Sequence, residues 1–514
     1  MPGSKFSRRN FLQAGLAAGT GFALWELYRL GFSNQIDRNN ASLRAFAEMG
    51  LDQEQLRKLL DIALEGGGEY ADIFLETSLS SYLGFNGEQF QNSGFEAITG
   101  AAIRVSTRNG TSFRAVTDLS WKSLTQAARE AGTASRSDVR LPPSSLKPLQ
   151  TPNLYPSASP ALFEAITEKQ QFLNRVVEST QKAYEHVRVA IANYRDTLRF
   201  LTVATSDGVF AHDTRPLLKL TISVAAADLN TGKTGTCFFN GGGHYGLEYF
   251  QQHPPEQLGR RAAEIVRHQV EGVAAPSGQL PVVLGPGYSG VLMHEAVGHG
   301  LEADFNIKGY SVYSGRIGES VASPLCTIYD DGRRENLNGS INFDDEGVPS
   351  SRTPLIERGR LTGYLHSRET AAKMKVPLTG NGRRQSFSYP PLPRMTNTYL
   401  EKGETPSEEI IRSVDFGIYA RTFWGGSVNI TTGDFTFFPL EAFLIEKGRV
   451  TAPLNKVILL GNGPEIMNRV VMIGDDLEIS DTLWDCGKQG QMVPVTVGTP
   501  TIKVEAMTVG GSNG

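Results

Sequence analysis

Alternating and helical patterns of apolar residues predict a mixed helix and strand region at the start of the chain. Asp52 and Gln55 fit a helix capping box, and the apolar residues after them recur at the spacing of one helix face until Gly66. A second helix is predicted to open at Asp118 or Ser120. Strands are predicted over residues 70–76, 100–105, 102–107 and 111–117, with Asn109-Gly110 as the hairpin turn between the last two.

The middle of the chain continues this alternation. Residues 141–160 are rich in proline and serine, which favours a linker or a long surface loop. Ser159-Pro160 then predicts a helix start, with serine as N-cap and proline in the first helical position. Further elements are strands over 187–191, 200–204 and 217–225, and a long helix over 255–270 that precedes a boundary near Pro276.

After residue 276 the pattern consists of short apolar segments separated by turns. Examples lie at residues 360–365, 442–445, 457–460 and 493–497. This pattern predicts a strongly twisted antiparallel sheet that curls toward a barrel or a sandwich. The predicted fold class is therefore α+β, with a mixed α/β region over residues 45–275 and a β-rich C-terminal domain over residues 276–514 that carries the metal-site helix described below.

Composition narrows the class of protein. The 514 residues are 40% hydrophobic and 20% charged, with a net charge of −4, which is typical of a globular protein of two or three domains. No basic excess suggests a nucleic-acid partner. The cysteines Cys237, Cys326 and Cys486 are too few and too dispersed for a disulfide framework.

The first 35 residues differ from the rest and indicate a targeting segment. Ser7-Arg8-Arg9-Asn10-Phe11-Leu12 is a twin-arginine pattern, and residues 11–25 supply its moderately apolar core. This core is shorter than the ~20 apolar residues of a membrane-spanning helix. No clear cleavage site follows, so the segment is either cut at an atypical position or kept as an N-terminal membrane tether. We expect export by the twin-arginine route to the periplasm.

The strongest chemical signal is His294-Glu295-Ala296-Val297-Gly298-His299, shortly after an apolar strand predicted over residues 280–284. Imidazole nitrogens bind zinc, and a glutamate beside a ligand takes a proton from the metal's water. The two histidines are five residues apart, which is about 140° around an ideal α-helix. Either a π-bulge widens the turn, or the helix ends near Gly298 and Gly300. The two glycines favour the second alternative.

Two histidines need at least one further donor. The candidates by residue type are Glu302, Asp304, His366, His244, Cys237, Cys326 and Cys486. Local spacing does not choose among them.

Several segments together resemble the TldD/PmbA metallopeptidase family, and its catalytic TldD branch in particular. Residues 294–302 resemble the metal-binding segment of that branch. Further similar segments are 339–347, 379–384, 393–398, 461–465 and 486–491. The resemblance runs from about residue 69 to residue 511 and is densest after Leu280.

The resemblance implies one zinc ion per chain, held by His294, His299 and Cys486, with a fourth position for water. Glu295 is then expected to act as general base in the hydrolysis of peptide bonds in unfolded or extended peptides. Two other interpretations remain open. The chain is a non-catalytic, zinc-containing assembly subunit, or it is a zinc hydrolase that acts on another amide.

The resemblance also implies an assembly. Chains of the TldD type work as dimers, so we expect a homodimer or a heterodimer with a PmbA/TldE-type chain that encloses the site.

Glu302 and Asp304 are candidates for orienting the ligand histidines. The turn-rich segments 379–384 and 461–465 are interpreted as loop-shaping elements, and the alternative is that their backbone or Arg384 grips a substrate.

Overall fold

The computed structural model describes residues 51–108, 110–134, 138–155 and 161–511. The predicted twin-arginine signal lies outside these residues, as do Asn109 of the predicted hairpin turn and the predicted Ser159-Pro160 helix start. Within the described residues, no helix is both long and apolar enough to cross a bilayer.

A seven-stranded sheet forms the first half of the fold. Its strands are β1 (Tyr70–Phe85), β2 (Phe90–Thr107), β3 (Gly110–Val116), β4 (Lys147–Pro148), β5 (Val187–Thr205), β6 (Val209–Ala227) and β7 (Thr234–Gly243). They lie in the order β3-β2-β1-β5-β6-β4, and β7 pairs with β6 off this path. The pairing is antiparallel except between β4 and β6.

The predicted strands over 187–191 and 200–204 are parts of one long strand, β5. The polar residues between them stay in the strand because they have partners in the sheet and on a helix. Lys169 Nζ donates to Asp196 Oδ2 at 2.6 Å, and Arg199 Nε donates to Glu76 Oε1 at 2.6 Å. Charged residues that satisfy one another in this way do not interrupt a strand.

Among the described residues, five helices accompany this sheet. They are α1 (Gln53–Ala63), α2 (Trp121–Ala134), α3 (Ile166–Ala183), α4 (Tyr249–Gln252) and α5 (Pro255–Glu271). The predicted capping box of α1 is confirmed, because Asp52 Oδ1 accepts from the Gln55 backbone and Gln55 Oε1 accepts from the Asp52 backbone, both at 2.8 Å. The predicted helix over 255–270 is confirmed as α5. Helix α3 begins only at Ile166, after a 3₁₀ turn over Ala161–Phe163.

Both faces of the sheet are covered near its centre. Ile73 and Leu75 belong to a core with helices α1 and α2. Phe74 points to the other face, where it packs with Phe343 and Phe387 from the second half of the chain. The first sheet is therefore joined to the C-terminal half through an apolar core.

The C-terminal half is rich in short strands. They are β8 (Val273–Ala274), β9 (Gly278–Leu284), β10 (Ile328–Asp331), β11 (Arg352–Glu357), β12 (Arg360–Leu361), β13 (Gly382–Arg383), β14 (Leu392–Pro393), β15 (Asn397–Leu400), β16 (Phe416–Val428), β17 (Asp434–Glu446), β18 (Arg449–Asn455), β19 (Val457–Asn462), β20 (Val470–Ile473), β21 (Glu478–Ile479), β22 (Trp484–Lys488), β23 (Gln491–Thr499) and β24 (Ile502–Gly511). The helices are α6 (Val291–Met293), α7 (Ala303–Ile307), α8 (Arg368–Met374), α9 (Ser407–Arg412) and α10 (Gly463–Asn468).

Five of these strands close into a barrel. The ring runs β16-β9-β24-β19-β17 and returns to β16. A second sheet, in the order β12-β11-β10-β15-β23-β21, lies beside it, and β22 pairs with β23. The segment from Val291 to Leu301 belongs to the same large apolar core as the barrel strands.

The predicted α+β class with a β-rich, barrel-forming C-terminal region is confirmed. The sheets are mostly antiparallel, as predicted, but three pairings of the C-terminal half are parallel, including the short pairing of β8 with β18. The other two are β9 with β16 in the barrel and β15 with β23 in the second sheet. Parallel partners require a long connection, and the helix predicted to carry the metal site lies in the connection between β9 and β16.

Candidate metal centre

The first candidate residues lie in a helical segment whose winding changes along its length. After β9, the chain forms a 3₁₀ turn over Gly287–Gly290, helix α6, a π-helical turn over His294–Gly298 and a 3₁₀ turn over His299–Leu301. The backbone N–H of His299 donates to the carbonyl of His294, a hydrogen bond that spans five residues instead of four. The wider π turn brings residues five apart nearly into line. Both imidazoles therefore face the same side.

The predicted helix end at Gly298 and Gly300 is wrong, and the π-bulge alternative is confirmed. Gly298 keeps right-handed helical geometry, with φ −55° and ψ −56°, and the helical backbone ends only at Glu302. The glycines are needed for close packing. A Cβ on Gly298 would lie 2.0 Å from Met395 Sδ, and a Cβ on Gly300 would lie 2.6 Å from the Tyr313 ring.

His294, His299 and Cys486 converge on one point. The Sγ atom of Cys486 lies 3.1 Å from His294 Nε2 and 3.2 Å from His299 Nε2. All three residues are buried, with exposed fractions of 0%, 7% and 1%. The two imidazole planes are nearly perpendicular, at 89°. The indole of Trp484 packs on His294 at a ring separation of 4.3 Å, which restricts that imidazole.

Cys486 reaches the histidines from a β-hairpin. Strands β22 and β23 pair antiparallel and are joined by the two-residue turn Gln489-Gly490. Both turn residues have positive φ, 48° and 74°, which is the pattern of a type I′ turn. Because side chains alternate along a strand, Trp484, Cys486 and Lys488 share the face of β22 that looks toward the histidines.

Glu302 orients His299. Its Oε2 lies 3.1 Å from His299 Nδ1, and its side chain is fully buried. When this imidazole is neutral, a proton on Nδ1 leaves Nε2 unprotonated on the Cys486 side. Burial raises the pKa of Glu302, but Lys488 and His299 outweigh burial and hold that pKa at about 2. Burial lowers the pKa of His299, but the charges of Cys486 and Glu302 outweigh it and raise that pKa.

Glu295 is buried on the same helical segment, with an exposed fraction of 5%. Burial raises its pKa above the ordinary value, and His299 only partly opposes this effect. A Cβ on Gly426 of strand β16 would lie 3.4 Å from Glu295 Cγ, so this barrel strand passes directly beside the carboxylate side chain. A carboxylate with a raised pKa is suited to accept and return a proton.

The other histidine candidates for a third donor are engaged elsewhere. His244 Nδ1 lies 2.5 Å from the Pro216 carbonyl oxygen, and His366 Nδ1 lies 3.3 Å from Thr370 Oγ1. Burial lowers the pKa of both imidazoles to about 4.

Cys237 and Cys326 are also excluded as donors to this group. Both are buried as free thiols in apolar cores, and burial raises the pKa of each thiol. Across residues 51–511, apart from the undescribed stretches, the only cluster of three possible metal ligands is His294, His299 and Cys486.

Two buried cationic side chains, Arg394 and Lys488, lie beside the candidate donors, and residue spacing in the sequence does not predict this position. Arg394 Nη2 donates to the Cys486 carbonyl at 2.5 Å, and Arg394 Nε lies 3.6 Å from Glu302 Oε1. Lys488 Nζ lies 3.1 Å from Glu302 Oε2 and 2.7 Å from Asp304 Oδ1. Of the two predicted orienting carboxylates, Glu302 therefore contacts a candidate ligand and Asp304 pairs with Lys488. The sequence feature that could have indicated both residues is that they lie in segments that resemble the family.

The donor set fits zinc. Two imidazole nitrogens and a thiolate are preferred zinc ligands. The 3.1 and 3.2 Å separations between sulfur and nitrogen suit donors that share one ion at ~2.0–2.3 Å. Three protein donors leave a fourth position, as in catalytic zinc sites.

Two family models match the chain. The PmbA/TldA metallopeptidase central domain matches residues 152–270, and the PmbA/TldA metallopeptidase C-terminal domain matches residues 277–511. The chain belongs to the PmbA/TldD metallopeptidase family. Within this family model, the C-terminal domain match includes both histidines, Glu295 and Cys486.

Individual relatives agree with the family. A metalloprotease TldD homolog from Haemophilus influenzae is 39% identical over 484 residues, which cover 92% of this chain and 100% of the relative. A zinc metalloprotease TldD homolog from Saccharolobus solfataricus is 33% identical over 246 residues, which cover 48% of this chain and 54% of the relative. The crystal structure of TldE from Thermococcus kodakarensis has a TM-score of 0.72 at 19% identity, over 89% of this chain and 100% of TldE, and it supports the PmbA/TldD fold.

Proposed function

We propose that this chain is a zinc-dependent metallopeptidase that hydrolyses peptide bonds in unfolded or extended peptides. The observation that carries the proposal is the convergence of His294 and His299 on Cys486, with Glu295 buried on the same helical segment. These three donors would hold Zn²⁺, which when bound supplies Lewis acidity and lowers the pKa of water toward ~7. Membership of the metallopeptidase family and the zinc in a relative's name support the proposal.

Glu295 is the general base, and then the general acid, in this proposal. Its carboxylate accepts a proton from the water that attacks the peptide carbonyl, and it then donates that proton to the leaving amine. The raised pKa of Glu295 makes both transfers easier near neutral pH. Glu302 keeps His299 in one tautomer, and Trp484 restricts the ring orientation of His294. The donor atoms therefore stay in place during the reaction.

The test is hydrolysis of a mixture of unstructured peptides by the full chain loaded with zinc. We expect Glu295→Gln to keep its zinc and to lower kcat/KM by about 10²–10⁴-fold, the usual contribution of a general acid–base group. Glu88→Gln, at an exposed site, is the matched control and keeps wild-type activity. A Glu295→Gln enzyme with wild-type turnover would overturn the assignment of the base.

We further propose that the working unit is a homodimer or a heterodimer with a PmbA/TldE-type chain. The likeness to TldE supports this proposal, because it shows that the two types of chain share one fold. The oligomeric state of the purified chain, measured by light scattering alone and with a TldE-type chain, tests it. Peptide hydrolysis that appears only in the mixture supports the heterodimer, whereas a monomer that hydrolyses peptides alone contradicts both dimers.

We also propose export to the periplasm through the pattern Ser7-Arg8-Arg9-Asn10-Phe11-Leu12. Replacement of Arg8 and Arg9 by lysine should retain the protein in the cytoplasm. The measurement is cell fractionation with the wild-type chain as the control. Wild-type protein found only in the cytoplasmic fraction would contradict the proposal.

A further inference from the structure

The three candidate zinc donors come from two separate parts of the chain. His294 and His299 lie on the π-helical segment, whereas Cys486 lies 187 residues beyond His299 on hairpin strand β22. Strand β22 pairs only with β23 among the described strands, so no backbone ladder ties it to the helical segment. Side-chain contacts must hold the thiol in register with the imidazoles.

Arg394 contacts both parts at once. It is fully buried, and its Nη2 donates to the backbone carbonyl of Cys486 at 2.5 Å. Its Nε faces Glu302 Oε1 at 3.6 Å, and neither of these two atoms has a hydrogen-bond partner among the described residues. Glu302 in turn holds His299 through Nδ1 at 3.1 Å. One guanidinium thus bridges the cysteine strand and the carboxylate that orients a histidine.

Lys488 makes a second bridge from the same hairpin. Its Nζ lies 3.1 Å from Glu302 Oε2, and the side chain is only 3% exposed. It also donates to Asp304 Oδ1 at 2.7 Å and to the Pro393 carbonyl at 3.1 Å. Since Lys488 is two residues beyond Cys486, it ties the end of β22 to the residues that follow His299.

The charges of this cluster balance. Glu302 is a fully buried carboxylate, and such a group is strongly destabilising unless it is paired. Lys488 and Arg394 supply two positive charges, and Asp304 supplies a second negative charge. Removal of one cation leaves a buried carboxylate under-compensated next to His299, so the cluster is sensitive to single substitutions.

We propose that Arg394 is a positioning residue that, together with Lys488 and Glu302, holds Cys486 against the two histidines and so preassembles the metal site. The inference rests on the proposed zinc site. Outer residues of this kind usually change metal affinity by about 10–100-fold when they are replaced. We expect Arg394→Lys, which keeps the charge but loses the forked guanidinium, to weaken zinc binding within that range.

The experiment measures metal binding by the full chain, independently of activity. Zinc affinity is measured by competition with a chelator, and Co²⁺ replaces zinc to report thiolate ligation through the sulfur-to-cobalt absorption band. Arg394→Lys should weaken both the affinity and the thiolate band. Lys488→Met should also weaken the affinity but should reduce the thiolate band less, because Lys488 contacts Glu302 and Asp304, whereas Arg394 contacts the backbone of Cys486 itself.

Arg384→Lys is the matched control. Arg384 is as deeply buried as Arg394, but it packs on Phe74 at 4.4 Å and bonds the Asp345 carbonyl, away from the donors. A merely structural role for Arg394 would make Arg394→Lys behave like Arg384→Lys, with lower resistance to urea but wild-type zinc affinity. This outcome would overturn the inference.

The outcomes separate the inference from the proposed function. A wild-type chain that fails to bind zinc refutes the proposed zinc site itself. A wild-type chain that binds zinc, together with an Arg394→Lys chain of equal affinity, refutes only the positioning role. If Arg394→Lys does not fold, the Lys488→Met and Glu302→Gln variants decide, and unchanged zinc affinity in both refutes the cluster. In the folded double variant, the losses of zinc-binding free energy caused by Arg394→Lys and by Lys488→Met should be less than additive, since both residues act through Glu302.

Discussion

At the scale of single residues, the requirement for glycine at position 298 is set by a neighbour far away in sequence. The π turn places Gly298 against Met395, so a Cβ at position 298 would lie only 2.0 Å from the Met395 sulfur. Both residues are buried, so neither can turn toward solvent. Glycine at 298 therefore reflects packing rather than a need for left-handed backbone.

Gly298→Ala should destabilise the protein through this contact. We expect the free energy of unfolding to fall by about 1–3 kcal/mol, the usual cost of overpacking a core, and zinc affinity to fall because His299 is adjacent. Urea unfolding measures the first effect. Gly510→Ala is the control, because its Cβ would meet nothing closer than 3.7 Å. Adding Met395→Ala should make the Gly298→Ala effect smaller, and full additivity of the two would contradict the proposed clash.

At the residue level, the sequence indicates the candidate site only where its signal is local. His294, Glu295 and His299 form a short motif, so their shared role can be inferred from spacing and residue type. Cys486 lies far away in sequence, and only the family resemblance selected it from seven candidate donors. Arg394 and Lys488 become relevant only once the fold brings them to Glu302.

At the scale of elements, regular helices with local caps were predictable and the irregular winding was not. The capping box of α1 and the long helix α5 follow from local patterns. A five-residue spacing is compatible with a π turn or with a broken helix, and the choice depends on tertiary packing around Gly298. The parallel pairing of β9 with β16 has no local signature, because 131 residues separate Leu284 from Phe416.

The β22–β23 hairpin offers an element-level prediction. Gln489 adopts φ 48°, which asparagine tolerates better than glutamine, and Asn-Gly is the preferred type I′ sequence. We expect Gln489→Asn to slow hydrogen exchange of the hairpin amides by about two- to five-fold, equivalent to ~0.4–1 kcal/mol. Gly490→Ala, at φ 74°, should accelerate exchange of the same amides. Equal exchange in both variants would show that turn strain does not limit hairpin stability.

At the scale of the whole molecule, buried charges join the first sheet to the C-terminal half. Arg104 of β2 pairs with Asp72 of β1 and, at 2.6 Å, with Glu346 of the C-terminal half. All three side chains are at most 2% exposed. The division of the chain at residue 276 stays a prediction, and these contacts indicate that its two sides are tightly coupled.

Arg104→Met should show the strength of this coupling. The substitution leaves Asp72 and Glu346 buried without their shared cation, so we expect a loss of about 3–5 kcal/mol in the free energy of unfolding. Arg108→Met, which removes an exposed pair with Glu69, should cost no more than about 1 kcal/mol. Urea unfolding of both variants makes the comparison. Similar losses in the two would contradict a stabilising role for the buried pairing.

Three buried or half-buried histidines outside the candidate metal centre predict how stability depends on pH. Burial lowers the pKa of His212, His244 and His366 to about 4, whereas an unfolded histidine titrates near 6.5. Between these values the unfolded chain binds protons that the folded chain excludes, so the free energy of unfolding falls as pH decreases from about 6.5 to 4. Asp344 opposes part of this trend, because burial and Glu346 raise its pKa to about 7.

Replacement of one of these histidines should reduce the pH dependence of the unfolding free energy by the contribution of one bound proton. His244→Asn keeps a donor for the Pro216 carbonyl but cannot titrate, so the slope of unfolding free energy against pH should decrease by up to about 1.4 kcal/mol per pH unit within that window. Urea unfolding between pH 4 and 7 measures the slope, with the exposed substitution Gln251→Asn as a control that leaves it unchanged. If His244→Asn keeps the wild-type slope, His244 titrates in the folded chain as it does in the unfolded chain, and burial of its neutral form is not what sets the acid limit of this fold.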